Sequence, residues 1–248
     1  MPAVTRKART ADAVSAIAPE ALLERERSVG EPVTGIVLAG GRSRRMGNDK
    51  AFTLLAGRPL LDWVLDALAP VTDVRLVVTR DLSGFTDLGV RVVHDRLPAR
   101  GPLTGLHAGL EAATTDLCLV VACDMPLVRT DLLALLARAI GPFDAAVPYV
   151  GEPGVPPSSS FTTAKEAGLQ PLLAAYRRKV LPSLEKLLRH GSLPTSALVS
   201  VIRARIVAPE EWRAVDPDGM SFVNVNTPED LTEAARRIGG LPGLAGRD

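Results

Sequence analysis

The chain has 248 residues, 46% of them hydrophobic, enough for one large α/β domain or two small ones to bury a real core, which excludes wholesale disorder and a small disulfide-stapled scaffold. It carries 29 lysines and arginines against 28 acids, a net charge of +1, and only 4% aromatics, so it has neither the global field that draws a protein onto nucleic acid or an acidic membrane nor the platforms on which single-stranded bases stack. Two cysteines, Cys118 and Cys123, are too few for a disulfide framework or a four-ligand zinc site and fit a reducing compartment.

Residues 1–31 are alanine-rich and mixed in charge, with Arg6, Lys7 and Arg9 followed by Glu20, Glu24 and Glu26. No apolar run follows the basic start, so this is not a secretory signal, and the acids weigh against a transit peptide. The segment reads as a mobile extension in which Pro19 suits the first position of a short helix over 19–27. No stretch approaches the roughly 18 apolar residues of a membrane span, and the chain is expected to be soluble and cytoplasmic.

From Val33 onward, short β-branched runs alternate with helical periodicity, the pattern of βαβ units and a mainly parallel sheet. Strands are predicted at 36–39, 75–79, 90–93 and 117–122, as continuous apolar runs of the kind buried on both faces. Helices are predicted over 60–68, 103–113 and 130–140, and a further strand over 145–148. Residues 151–160 (Gly-Glu-Pro-Gly-Val-Pro-Pro-Ser-Ser-Ser) break all regularity and predict a surface excursion. Helical spacing returns over 171–190 and stops at Gly191, a left-handed C-cap signal. Strands at 202–207 and 221–225 and a helix from Thr227 complete the pattern, with no internal repeat and no linker. Residues 32–240 are therefore expected to form one domain, with 241–248 as a tail.

Ligands of an open parallel sheet bind beyond the carboxyl ends of its strands, and four such ends carry unusual residues. After the first strand comes Leu38-Ala39-Gly40-Gly41-Arg42-Ser43-Arg44-Arg45-Met46-Gly47-Asn48-Asp49-Lys50. Bare glycine backbone offers amide donors there, and several cations offset anionic charge, so the composition is that of a polyphosphate cradle. It is neither a P-loop, lacking Gly-Lys-Ser/Thr, nor the Gly-x-Gly-x-x-Gly dinucleotide fingerprint. The 117–122 run ends in Ala122-Cys123-Asp124-Met125-Pro126, which puts Asp124 at the sheet edge where a hard divalent cation beside a nucleotide needs an oxygen ligand. Asp124 is the first choice for magnesium.

Cys123 has no partner histidine at a recognisable spacing, and both cysteines read as packed thiols. In Phe222-Val223-Asn224-Val225-Asn226-Thr227-Pro228-Glu229-Asp230, Thr227 to Asp230 are a helix start. Asn224 and Asn226 alternate with valines, so as a strand they leave one face together, able to complete a cation shell or to bind substrate. His94-Asp95 and Gly101-Pro102-Leu103-Thr104-Gly105 put helix amides without bulky side chains where a flat base or a phosphate could lie. His107, facing Glu111 one turn on, and His190, in a last helical turn, read as structural.

In order, these stretches resemble the nucleotidyltransferase family of molybdenum cofactor guanylyltransferases over residues 34–238. The motifs that carry the resemblance are Leu38 to Gly41 with Arg45-Met46-Gly47 and Asp49-Lys50, Gly101-Pro102-Leu103, Cys123 to Pro126, and Phe222 to Asp230. The resemblance implies a three-layer αβα Rossmann-like nucleotidyltransferase fold that moves GMP from GTP to the phosphate of molybdenum-bound molybdopterin with Mg2+, releasing pyrophosphate. Molybdoenzymes or their chaperones would receive the product.

By position, the resemblance places guanine against Leu38, Ala39 and Gly40 and near Asp95, Gly101 and Gly105. Lys50 and Arg45 would hold the triphosphate in catalytic roles, Gly41 and Arg42 count with the nucleotide-binding residues, and Asp124 would hold the metal, with Asn224 and Asn226 at the edge of the site. Gln170-Pro171-Leu172 falls on the pterin side. Relatives that transfer CMP usually read Leu-Ala-Ala-Gly in the first loop, so Gly40 favours GTP. Thr79 stands where some members carry a nucleotide-binding asparagine, and residues 151–167 match little of the acceptor side. A donor of CTP, another phosphate acceptor, or a non-catalytic nucleotide sensor of the same fold are the competing readings.

Overall fold

The computed structural model describes residues 30–40, 50–85, 88–98, 101–154, 168–191 and 194–239. Most of the expected extension and tail, residues 41–49 of the glycine-rich loop and residues 155–167 lie outside the described residues.

Strand β1 (Val33–Leu38) leads towards the glycine-rich loop, and a small hairpin of β2 (Leu54–Leu55) and β3 (Arg58–Pro59) follows that loop. Ala56 and Gly57 at its turn both have positive φ, 49° and 77°, as a two-residue hairpin turn whose twist matches its strands requires. Gly57 is the one residue between these two short strands whose type signals the turn. The main sheet continues with β4 (Val74–Thr79), β5 (Arg91–His94), β6 (Leu117–Ala122), β7 (Ala145–Pro148), β8 (Leu173–Arg177) and β9 (Ala204–Val207). Its order is β5-β4-β1-β6-β8-β7-β9, parallel throughout except where β8 runs antiparallel to both β6 and β7.

Helices α1 (Leu60–Leu68), α2 (Pro102–Ala112), α3 (Thr130–Ala139), α4 (Leu181–Arg189), α5 (Ser196–Val201), α6 (Pro209–Trp212) and α7 (Pro228–Gly239) complete the fold. Alternate strand residues separate the two cores. Val37, Leu119 and Val121 meet α1 and α3 on one face, while Ile36, Val120 and Ala174 meet α2, α4 and α5 on the other. The result is three layers, αβα, around a mainly parallel sheet.

Two predicted elements are corrected. Residues 171–190 are not one helix: β8 comes first, then a 3-10 turn (Arg178–Val180), then α4. Leu173, Ala174, Ala175 and Tyr176 are fully buried, and an apolar run buried on both faces has no alternation by which to tell strand from helix. The predicted strand at 221–225 is absent as well. Met220–Phe222 forms a 3-10 turn because the buried Asp216 carboxylate accepts the Met220 and Ser221 amides at 3.0 and 2.8 Å, bending the chain away from the sheet edge after Gly219, φ 61°. His107 of α2 stands against Glu185 of α4, Nε2 to Oε1 3.7 Å.

Candidate active site

The site lies along the carboxyl edge of β5, β4, β1 and β6. At β6, the Cys123 amide donates to the Leu38 carbonyl at 3.1 Å, and the Asp124 carbonyl accepts the Val225 amide at 2.8 Å. That second bond brings the segment after Met220–Phe222 against the β6 end. Lys50, which opens the 3-10 turn Lys50–Phe52, is only 7% exposed. Its ammonium donates to Asp124 Oδ2 at 2.9 Å and to Asn226 Oδ1 at 2.7 Å. A buried ammonium needs such partners, since desolvating it unpaired is costly.

Asn226 is itself fixed from below. The Asp230 carboxylate accepts the Asn226 and Thr227 amides at 2.8 and 2.9 Å, and the Asp230 amide donates back to Thr227 Oγ1 at 3.2 Å. These donors, the Asn226 amide foremost, hold the Asp230 carboxyl below its ordinary range. The Thr227 cap expected from sequence is thus present, and it also positions the site. Asn224 is placed differently: its side-chain amide turns back to the Phe222 carbonyl at 3.2 Å and does not line the cavity, so the two asparagines do not share a face.

A cavity of about 330 Å³ opens from Lys50, Asp124 and Asn226 towards the ends of β1, β4 and β5. Leu38, Val78, Gly101 and Gly105 form its walls together with Gly40; Ala39 is buried behind them, its amide bonded to the Val78 carbonyl at 2.8 Å. Gly101 has φ 138°, a conformation that glycine alone adopts without strain. Among the described residues, a methyl group on Gly40 would meet Arg80 alone, Cγ at 3.7 Å and the main-chain N at 3.9 Å, both ordinary contacts.

At the far end, Asp95 is buried: Oδ2 accepts the Thr104 hydroxyl at 2.6 Å, Oδ1 accepts the Leu97 amide at 3.2 Å, and Arg80 Nε stands 3.7 Å away. Thr79 is buried beside it, its hydroxyl donating to the Asp81 carbonyl at 2.9 Å. Arg80 lines the cavity and was not singled out from sequence; the available signal was a cation straight after a buried apolar strand. Gly41, Arg42 and Arg45 lie outside the described residues.

Among the described residues, no group of three His, Cys, Asp or Glu side chains is assembled to hold a metal. Both cysteines are buried free thiols, and burial pushes the Cys118 thiol up to about 12.

A cavity of nucleoside size on the bare strand ends of a parallel sheet, closed at one end by a buried cation paired to a carboxylate, suits a polyanionic donor, and with this fold it defines a nucleotidyltransferase. The chain belongs to the MobA-like NTP transferase domain family, whose model matches residues 35–208. A relative from Desulfosudis oleivorans is 35% identical over 209 residues, 84% of this chain and 96% of its own. Another from Chloroflexus aggregans is 38% identical over 202 residues, 80% of this chain and 91% of its own. Both carry the name molybdenum cofactor guanylyltransferase, the second with the qualifier probable. The crystal structure of molybdopterin-guanine dinucleotide biosynthesis protein A from Archaeoglobus fulgidus superposes with a TM-score of 0.68 at 27% identity, covering 84% of this chain and all of that one.

Proposed function

We propose that this chain transfers GMP from GTP to the phosphate of molybdenum-bound molybdopterin and releases pyrophosphate. The observation that carries the reading is Lys50, buried between Asp124 and Asn226 at the phosphate end of a nucleoside-sized cavity. The names of the relatives supply the acceptor.

The acceptor phosphate is anionic at neutral pH, so attack on the α-phosphorus needs no side-chain nucleophile or strong general base. The chain's work is in-line positioning and charge neutralisation. The Lys50 ammonium faces charge that builds on the α-phosphate oxygens and on the departing pyrophosphate. Asn226 and Asp124 hold that ammonium in place, and Arg45 and Arg42, from the glycine-rich loop, add positive charge by their position in sequence. The bare backbone at Gly40, Gly101 and Gly105 admits the base and ribose.

The donor set fits Mg2+, which binds through one or two carboxylates and keeps its remaining positions for water and substrate phosphates. Among the described residues, one acid, Asp124, stands at that end of the cavity, and Asn226 adds an amide oxygen already shared with Lys50. Asp124 would hold the ion, whose chemistry there is to neutralise phosphate charge and polarise the phosphoryl group. Product delivery to molybdoenzymes or their chaperones follows from the same reading.

The test is pyrophosphate release by the purified chain supplied with GTP, Mg2+ and a molybdopterin source. Asp124→Ala is expected to abolish it and Lys50→Ala to lower it at least about tenfold, in line with losing one group that stabilises transition-state charge. Near-normal turnover in either folded variant overturns the role given to that residue.

A further inference from the structure

We infer that Lys50 guards the metal position: in the free chain its ammonium holds the oxygens that a divalent cation would use, so that the metal enters with the nucleotide and not before it. The inference rests on the proposed function, from which it takes Asp124 as the metal's ligand, and it adds the order in which that same site fills.

Among the described residues, Asp124 and Asn226 supply the side-chain oxygens at this end of the cavity. Both are turned to one ammonium, Asp124 Oδ2 at 2.9 Å and Asn226 Oδ1 at 2.7 Å. The ammonium is the buried partner. The Lys50 side chain is 9% exposed, whereas that of Asp124 is 24% exposed and lines the cavity. A cation arriving through the cavity meets a carboxylate whose charge is already neutralised from the protein side.

Lys50 brings one positive charge and Asp124 one negative, so the pair is neutral by itself. A divalent ion added to it leaves two uncompensated positive charges in a partly buried place, which is costly. A triphosphate removes that excess. Metal and nucleotide then favour each other's binding, and by linkage the effect is reciprocal. Nor is Lys50 stranded when Asp124 is shared. Asn226 remains its neutral acceptor, fixed through its own amide on Asp230, and the Asp230 carboxylate lies within the field of the Lys50 charge.

The experiment is titration of the purified full chain with Mn2+ alone, a stand-in for Mg2+ whose free form is counted by its electron paramagnetic resonance signal, with no nucleotide or acceptor present. Lys50→Met and Lys50→Gln are each expected to bind Mn2+ at least about tenfold more tightly than the unaltered chain, because even at the dielectric of water a unit charge a few ångströms from a divalent ion has that effect. Lys50→Gln keeps an N–H donor without the charge, and it carries the test if the methionine variant does not fold. Lys50→Arg, which keeps the charge, is expected to bind Mn2+ as weakly as the unaltered chain, and the gain in Lys50→Gln is expected to vanish when Asp124→Asn is added. Uncharged variants that bind Mn2+ no more tightly than the unaltered chain overturn the inference. So does a gain that survives Asp124→Asn, because the ion then sits elsewhere. The titration uses neither GTP nor molybdopterin, so a chain that shows the expected Mn2+ pattern and yet releases no pyrophosphate from GTP overturns the proposed function and not the guard.

Discussion

Lys50 is held by two oxygens, one from the middle of the sequence and one from near its carboxyl end, and each is held in turn by main-chain bonds. Asp124 is anchored through the Val225 amide to its carbonyl, and Asn226 through its own amide to Asp230. Replacing Asn226 with Ala should leave the fold intact and lower turnover by about tenfold, since one of the two acceptors that aim the ammonium is lost. Steady-state kinetics with GTP check this, and unchanged kcat would remove Asn226 from the site. Asp230 supports the same point from outside, and because its folded pKa is depressed, the stability it lends is present above its unfolded value of about 4 and is lost as pH falls through the folded value. Asp230→Asn should cost about 1 kcal/mol at pH 7, and the gap in denaturation midpoint should close as pH is lowered from 6 to 3. A gap independent of pH would mean that the carboxylate charge is not what holds the turn.

Among the elements, α2 shows how the sheet carries the site. Gly105 and Gly109 lie one turn apart on its inner face, but they serve different ends. A methyl group at Gly109 would stand 2.6 Å from the branched Ile36 Cγ2, so Gly109→Ala should destabilise the protein by about 1–3 kcal/mol as the helix is pushed off the sheet. At Gly105 the nearest atom is Leu38 Cδ2 at 3.6 Å, an ordinary contact, so Gly105→Ala should leave stability unchanged or slightly raised while weakening nucleotide binding, because the methyl group enters the cavity wall. Thermal melts with and without GTP separate the two effects.

The sequence made most of this scaffold legible. Apolar runs such as 117–122 and the periodicity of 60–68 depend on burial that the fold does not alter, and the glycines, Lys50 and Asp124 mark strand ends. Strand β8 was hidden because its neighbours bury both faces, which removes the alternation. The segment after Asp216 was hidden because a single buried carboxylate, not its own β-branched residues, decides its path. Arg80 escaped notice because a lone cation after a strand means little until Asp95 and Leu97 of the next strand's exit are seen beside it.

For the molecule as a whole, the centre of the sheet holds two groups whose ionisation burial disfavours. Cys118 and Tyr176 are cross-strand partners in β6 and β8, and burial raises both above their ordinary values, Cys118 to about 12. A raised folded pKa means that the stabilisation is fully present below the unfolded value, near 9.0 for Cys118, and is lost as pH rises from there towards the folded value. Stability should therefore decline above pH 9, and Cys118→Ala should make that decline shallower by up to about 1.4 kcal/mol per pH unit. Identical slopes in denaturant melts of the two proteins would contradict it.

The three layers around that centre hold the strand ends in register, and at those ends the donor is chosen and transferred. The most direct measurement is the mass of the product formed by the purified chain from molybdenum-bound molybdopterin and Mg2+ with GTP or CTP as donor. The guanine dinucleotide from GTP, with little or no cytosine product, is the predicted result. A cytosine dinucleotide, or no dinucleotide from GTP while a different phosphate acceptor is modified, would contradict it.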